Sequence, residues 1–350
     1  MEKKNIYGIS LEELEQEMLA LGQKAYRAKQ LFSWLYVKNA KSFDEMSDIS
    51  IKFREVLKER YTMDLPEVFI KRVSNDGTIK LLLKMFDGEK IETVLMPYNY
   101  GNATCISTQV GCNMNCFFCA SGLLKKKRDL TTEEMVGQVL VLNKMLSEMI
   151  DGKPVTHIVV MGTGEPFDNY DNVMRFVRIV NSQFGLAIGA RHITVSTSGV
   201  IPGILRYGKE GLQINLAISL HAPNNELRNK LMPINRKYPL EQLMEAVIQY
   251  GKDSNDRRVT YEYIMIEDFN DSMECCDQLI ELIKPTYGYV NLIPYNNVVE
   301  NRYKRSSNNR IHRFHDKLMK SGIKTTIRKE FGADIEAACG QLRAKYAENN

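Results

Sequence analysis

The chain has 350 residues, of which 44% are hydrophobic, and a formal net charge of only +4. It can bury a substantial core, and its overall charge by itself marks no surface for a polyanion. No run approaches the roughly 18 apolar residues of a membrane span, and Met1-Glu2-Lys3-Lys4-Asn5 leads into no apolar signal-peptide stretch. Seven cysteines in a chain of this length do not resemble the disulfide framework of a small secreted domain, so a reducing, cytoplasmic compartment without membrane contact is expected.

The first elements are helical. Leu11, Leu14, Met18 and Leu21 recur at helical spacing behind Ser10, an N-cap residue with Glu13 three positions on. Further helices are predicted from Tyr26 to Val37 and from Ile51 to Arg60, so residues 1–64 read as an accessory domain with its own core. Over 65–97 the pattern shortens to strand-like pieces, Thr78 to Phe86 and Ile91 to Met96, parted by the turn signal Asp87-Gly88. This segment reads as a β-hairpin linker.

From residue 98 to 345 strands and helices alternate. Strands are predicted at Thr104 to Gln109, His157 to Met161, His192 to Ser196, Ile214 to Leu220, Val259 to Ile266 and Val290 to Pro294. Helices are predicted at Glu133 to Ile150, behind Thr131, and at Asn172 to Asn181, Leu240 to Gly251 and Met273 to Lys284. Six such units imply an α/β protein whose parallel strands are joined by right-handed crossovers. Being two units short of an eightfold barrel, the core is expected to be an open partial (β/α)6 barrel.

The residues with chemical capacity fall at the carboxyl ends of these strands, where α/β sheets place ligand sites. Cys112, Cys116 and Cys119 follow the first strand with spacing C-x3-C-x2-C. Three thiolates suit an iron–sulfur cluster that keeps one iron open, whereas structural zinc wants four protein ligands. Zinc and plain packing stay as alternatives, although Gly111, Asn113 and Asn115 make the stretch a turn. Gly162-Thr163-Gly164-Glu165-Pro166, Ser196 to Gly199, Ser219 to Ala222 and Tyr295-Asn296-Asn297 end further strands. Each alone reads equally well as turn or core residues, and their coincidence on one rim is the signal.

The cysteine spacing, with Phe118 before the last cysteine, resembles the motif of the radical S-adenosylmethionine (radical SAM) superfamily, and Gly164-Glu165-Pro166 looks like its motif for the methionine amino group. Met161 to Pro166, Ser196 to Gly199, Ser219 to Pro223, Leu231 to Asn235 and Ala337-Ala338-Cys339-Gly340-Gln341-Leu342 resemble the RlmN family of RNA adenine-C2 methyltransferases. Phe43 to Met46 in the helical part also fits. Thr163 departs from the pattern, since relatives more often carry Met there.

The resemblance implies a 4Fe–4S cluster on Cys112, Cys116 and Cys119. It implies S-adenosylmethionine against Gly164, Glu165, Ser196, Ser219, Leu220, His221 and Asn296. It further implies that Cys339 carries a methyl group to adenine C2 of 23S ribosomal RNA and of tRNA. Cys105 would release the resulting adduct through a Cys105–Cys339 disulfide, Glu92 would take the C2 proton, and a ferredoxin or flavodoxin would supply the electron. Outside that resemblance, Glu92 fits the polar face of a hairpin equally well, Cys105 fits a buried strand position, and Cys275 and Cys276 read as structural. Lys125-Lys126-Lys127-Arg128 and the stretch with Arg302, Lys304, Arg305, Arg310 and Arg313 are candidate phosphate contacts or solvated faces. The sibling enzyme that methylates adenine C8, another radical SAM enzyme and a zinc-bearing RNA-binding module remain the rival readings.

Overall fold

The apolar runs of the second half lie side by side in one ten-stranded sheet. The computed structural model describes residues 3–149, 152–296 and 302–342. Ile150, Asn297 and the end of the core near residue 345 therefore lie outside the described residues. In chain order the strands are β1 (Glu67–Val73), β2 (Ile79–Lys84), β3 (Lys90–Tyr98), β4 (Gly101–Cys105), β5 (Val155–Val160), β6 (Ile193–Thr197), β7 (Asn215–Ser219), β8 (Val259–Met265), β9 (Gly288–Pro294) and β10 (Thr325–Ile327). Their order across the sheet is their order in the chain. From β4 to β10 every neighbouring pair is parallel, because each connection carries a helix back across the sheet.

Among the described residues the α-helices are α1 (Leu11–Ala20), α2 (Tyr26–Phe32), α3 (Ile51–Arg60), α4 (Thr132–Ser147), α5 (Tyr170–Asn181), α6 (Ile201–Tyr207), α7 (Asn225–Leu231), α8 (Leu240–Asp253), α9 (Met273–Ile283) and α10 (Asn308–Lys320). Ser10 and Glu13 form the expected capping box on α1, and Thr131 and Glu134 form another on α4. The second predicted helix is α-helical only to Phe32 and continues as a π-turn from Ser33 to Val37. No described helix is long and apolar enough to cross a membrane.

The expected α/β fold with an open parallel sheet is present, and three details differ from expectation. The helical segment has no separate core: Ile6, Leu14, Phe32 and Leu57 belong to the same buried cluster as the side chains of the sheet. The reason lies in α4, where Met135, Val136, Val139, Leu140, Val141 and Leu142 are buried on several sides of one helix, so it needs cover on its outer face as well. The hairpin is likewise no separate linker. Its strands, preceded by β1, run antiparallel and continue the large sheet through β3 and β4; β2 is buried on both faces over Ile79 to Leu83, which suits an interior strand. Finally, a seventh parallel strand, β10, follows α10. That helix is missed when its arginines are read as a basic stretch, yet Ile311, Phe314 and Leu318 form a buried stripe on it.

One buried side chain ties the strand ends together. Arg228 on α7 is fully buried and donates to the carbonyls of Ser198 (2.7 Å), Ser219 (3.2 Å) and Leu220 (3.2 Å), and to Asn235 Oδ1 (2.8 Å). Burial pulls its guanidinium down to about 10, which leaves it charged at neutral pH. Arg228→Met takes a donor from each of these carbonyls, although Leu220 O keeps the Ala222 N–H (2.8 Å), and a buried carbonyl left without any donor costs about 1–3 kcal/mol. A loss of about 3 kcal/mol in urea unfolding is expected, and an unchanged midpoint would show that the clamp contributes nothing.

Candidate active site

The cysteine loop is built by backbone geometry before any ligand is considered. After β4, Gln109–Val110 pairs antiparallel with Arg128–Asp129 and closes the base of the loop. Gly111 sits at φ 77°, where a Cβ would come within 2.1 Å of the Lys125 carbonyl oxygen; only glycine fits that approach. Cys112 N–H donates to Leu124 O (2.8 Å), Cys119 N–H to Cys116 O (3.1 Å) and Phe117 N–H to Leu231 O (2.9 Å). The three cysteines thereby line one wall of a cleft of about 140 Å3.

The opposite walls come from the ends of β5 to β8. Gly164, Glu165, Ser196, Ser219 and His221 all line the cleft, as the rim argument expects. Gly164 has φ 117°, and a Cβ there would meet Thr108 Oγ1 at 2.6 Å. The buried Glu165 carboxylate accepts from the Phe167 N–H (3.0 Å) and the Ser198 N–H (2.7 Å). Burial pushes this carboxyl up, against the pull of those two amides. His221 Nδ1 accepts from Ile264 N–H at 3.2 Å, and burial pulls the imidazole down to about 3. The ring is therefore neutral, with its proton on Nε2. Leu220 differs: its side chain lies in the core and is not among the lining residues.

A second cavity, of about 50 Å3, lies beside the first. Cys105, Met96, Asn296 and Phe331 line it, and Cys339, Cys119, Met161 and Arg328 line both cavities. The Cys339 loop is docked onto the cysteine loop by Ala120 N–H to Gly340 O (2.7 Å) and Ser121 Oγ to Leu342 O (2.7 Å), while Asn296 Nδ2 donates to Cys339 O (3.2 Å). Cys105 is buried, and burial pushes its thiol up to about 12. Glu92 lines neither cavity. It sits on β3 two residues from Val94, the partner of Cys105 in β4, so both side chains emerge on one face of the sheet. Glu92 is buried against Lys80, 3.2 Å away.

The donor set fits a multi-iron cluster better than zinc. Burial pushes the Cys112 thiol up to about 11 and raises those of Cys116 and Cys119, so three thiolates here require adjacent positive charge. Three cysteines on one loop leave zinc short of the four protein ligands of a structural site, whereas an iron–sulfur cluster that keeps one iron open is complete with three. Cys275 and Cys276 are buried on α9, away from both cavities.

Several participants escape the sequence reading. Arg328 bridges both cavities, its Nη1 3.6 Å from Glu262 and 3.6 Å from Met161 Sδ. Glu262 is buried in the cleft wall beside Asn291 Nδ2 (3.0 Å). A carboxylate inside the otherwise apolar Tyr261 to Met265 run was the available signal. Thr163 Oγ1 lies 3.3 Å from Ser121 Oγ, so the departure at that position joins the two loops. The basic run is largely engaged within the chain, through Lys126–Asp129, Lys127–Glu89 and Arg128 with Asp87 and Glu134. Arg305 likewise pairs with Glu330, and Arg310 with Asp268 and Asp271.

Residues 106–283 match the radical SAM superfamily, and residues 4–63 match the ribosomal RNA large subunit methyltransferase N-terminal domain. The chain is 53% identical over 341 residues to a probable dual-specificity RNA methyltransferase RlmN of Spiroplasma citri, covering 97% of each. It is 52% identical over 348 residues to the protein so described from Enterococcus faecalis, covering 99% of this chain and 97% of the relative. The crystal structure of a radical SAM methyltransferase from Sphaerobacter thermophilus superposes with TM-score 0.90 at 43% identity, covering 97% of this chain and 99% of that one. With its three-cysteine loop, open parallel sheet and helical N-terminus, the chain belongs to the RlmN family of radical SAM RNA methyltransferases.

Proposed function

We propose that this enzyme, acting in the cytoplasm, methylates C2 of adenine in 23S ribosomal RNA and in tRNA, with Cys339 as the carrier of the methyl carbon. The observation that carries this reading is the position of Cys339 on the shared wall of two cavities, one holding Cys112, Cys116 and Cys119 and the other holding Cys105. A sulfur that must receive a carbon on one side and deliver it on the other needs such a place. Adenine C2, between two ring nitrogens, is too electron-poor to attack a methyl cation donor directly.

Cys112, Cys116 and Cys119 would hold a 4Fe–4S cluster, with S-adenosylmethionine against Gly164, Ser196, Ser219 and the Nε2–H of His221. When bound, the pair supplies a deoxyadenosyl radical, after one electron from a ferredoxin or flavodoxin, and a second S-adenosylmethionine supplies the methyl group. The remaining steps use the chain's own groups. Cys339 sulfur would take the methyl group, give up one hydrogen atom from it to the deoxyadenosyl radical and bond through the methylene carbon to C2. Glu92 would accept the C2 proton as the adduct returns one electron to the cluster, a role that needs a carboxylate within reach. The Cys105 thiolate would then attack Cys339 sulfur, the carbon–sulfur bond breaking toward the base, whose methylene carbon takes up a proton to become the methyl group and leaves a disulfide behind. Its raised thiol must lose a proton first, which suits a step that waits for the adduct. Asn296 supports the reading by holding the Cys339 carbonyl, so its contribution is to the carrier loop. Exposed Lys125, Arg302 and Lys304 suit RNA phosphates, with salt-dependent affinity. The target base must leave its stack to reach the sulfur.

Two measurements bear on this reading. Anaerobically reconstituted protein should carry about four iron and four sulfide per chain, and Cys116→Ser should lose both; one tightly bound zinc would exclude the cluster. Cys105→Ala should accumulate RNA covalently bound through Cys339, detectable as a slow-migrating band and by peptide mass. Normal turnover in that variant would rule out the proposed release step, and mapping the methylated position in the product separates C2 from C8.

A further inference from the structure

Lys80 lies on β2 with 8% of its side-chain surface exposed, a depth at which lysine depends on its partners. Its Nζ stands 3.2 Å from Glu92 Oε1 and donates to the Glu336 carbonyl at 2.9 Å. The register explains the first contact. Lys80 pairs with Val94 of β3, which pairs with Cys105 of β4, so Lys80, Glu92 and Cys105 project from one face. The second contact reaches the loop of Cys339, three residues beyond Glu336. That loop is held to the β1–β2 turn at two more points: Asp76 accepts from Gly332 N–H (2.9 Å), and Asp334 accepts from Asn75 N–H (3.2 Å) and the Ser74 hydroxyl.

We propose that Lys80 is a positioning residue, whose single ammonium fixes the Glu92 carboxylate and the Cys339 loop relative to one another. The proton acceptor and the carrier sulfur come from different ends of the chain, yet both must address the same carbon. The Lys80 bridge supplies that registration from the antiparallel part of the sheet. The inference rests on the roles given above to Glu92 and Cys339, and its loop half stands on Glu336 alone.

Lys80→Met is expected to slow product formation in single turnover by about 10²-fold, as for a misplacement of about 1 Å, with KM for RNA unchanged. The covalent RNA adduct should accumulate as in Glu92→Gln, and amide exchange over residues 333–338 should quicken. Lys80→Arg keeps the cation and should recover most of the rate, which a purely structural loss would not predict. The double variant Lys80→Met with Glu92→Gln removes both charges of the pair and serves if the single variant does not fold. In it, loop exchange should exceed that of Glu92→Gln. Parental turnover in Lys80→Met, an arginine variant as slow as the methionine one, or equal loop exchange in the double variant and Glu92→Gln overturns the proposal. Normal turnover in Glu92→Gln overturns the proton-acceptor reading instead, and the exchange data then judge the loop half separately.

Discussion

Parallel strands point all their carboxyl ends the same way, and the chemistry of this enzyme depends on that constraint. Seven neighbouring strands from β4 to β10 obey it, so loops far apart in sequence open onto one rim. Strand-end carbonyls collect there too, and a buried carbonyl without a donor is costly. Arg228 answers for Ser198, Ser219 and Leu220 with one guanidinium. Glu165 serves the amides of Phe167 and Ser198 in the same way. These bonds tie the walls of the cleft to one another, as a site that must present donors in fixed directions requires.

The Cys339 loop is held in two ways. Ile335, Ala337 and Leu342 pack in an apolar cluster with Val94, Met96 and Cys105, and the hydrogen bonds and charged contacts of Ala120, Ser121, Ser74, Asn75, Asp76, Lys80 and Asn296 add to that hold. Gly340 at φ 79° gives the chain its turn directly after Cys339.

Much of the site was legible because its residue types are improbable for their surroundings. Three cysteines in a turn rich in Asn and Gly stand out against plain packing, and a Gly-Glu-Pro group after a strand gains meaning from falling on the same rim. The capping boxes at Ser10 and Thr131 were legible for the same reason, since their hydrogen bonds close within four residues. Arg328, Lys80 and Glu262 were not. Each lies in or beside a strand where a charged residue ordinarily signals a solvent face, and only their partners, Glu262, Glu92 and Asn291, reveal them as interior. Basic residues misled in the opposite direction, hiding the apolar stripe of α10 beneath its arginines.

The sequence by itself determined the local chemistry: which cysteines share a loop, where helices begin, and which strands are apolar enough to be parallel and covered. Family resemblance added roles to single residues. What only the tertiary structure decided was adjacency. That the helical N-terminus shares its core with the sheet follows from the burial of α4 on several sides. That Cys339 lines one cavity together with Cys119 and Cys105 follows from the docking of its loop, and that Lys80 joins Glu92 to that loop follows from strand register. Register is a property of pairs of strands, set by which buried faces fit together, and no single strand carries it in its sequence.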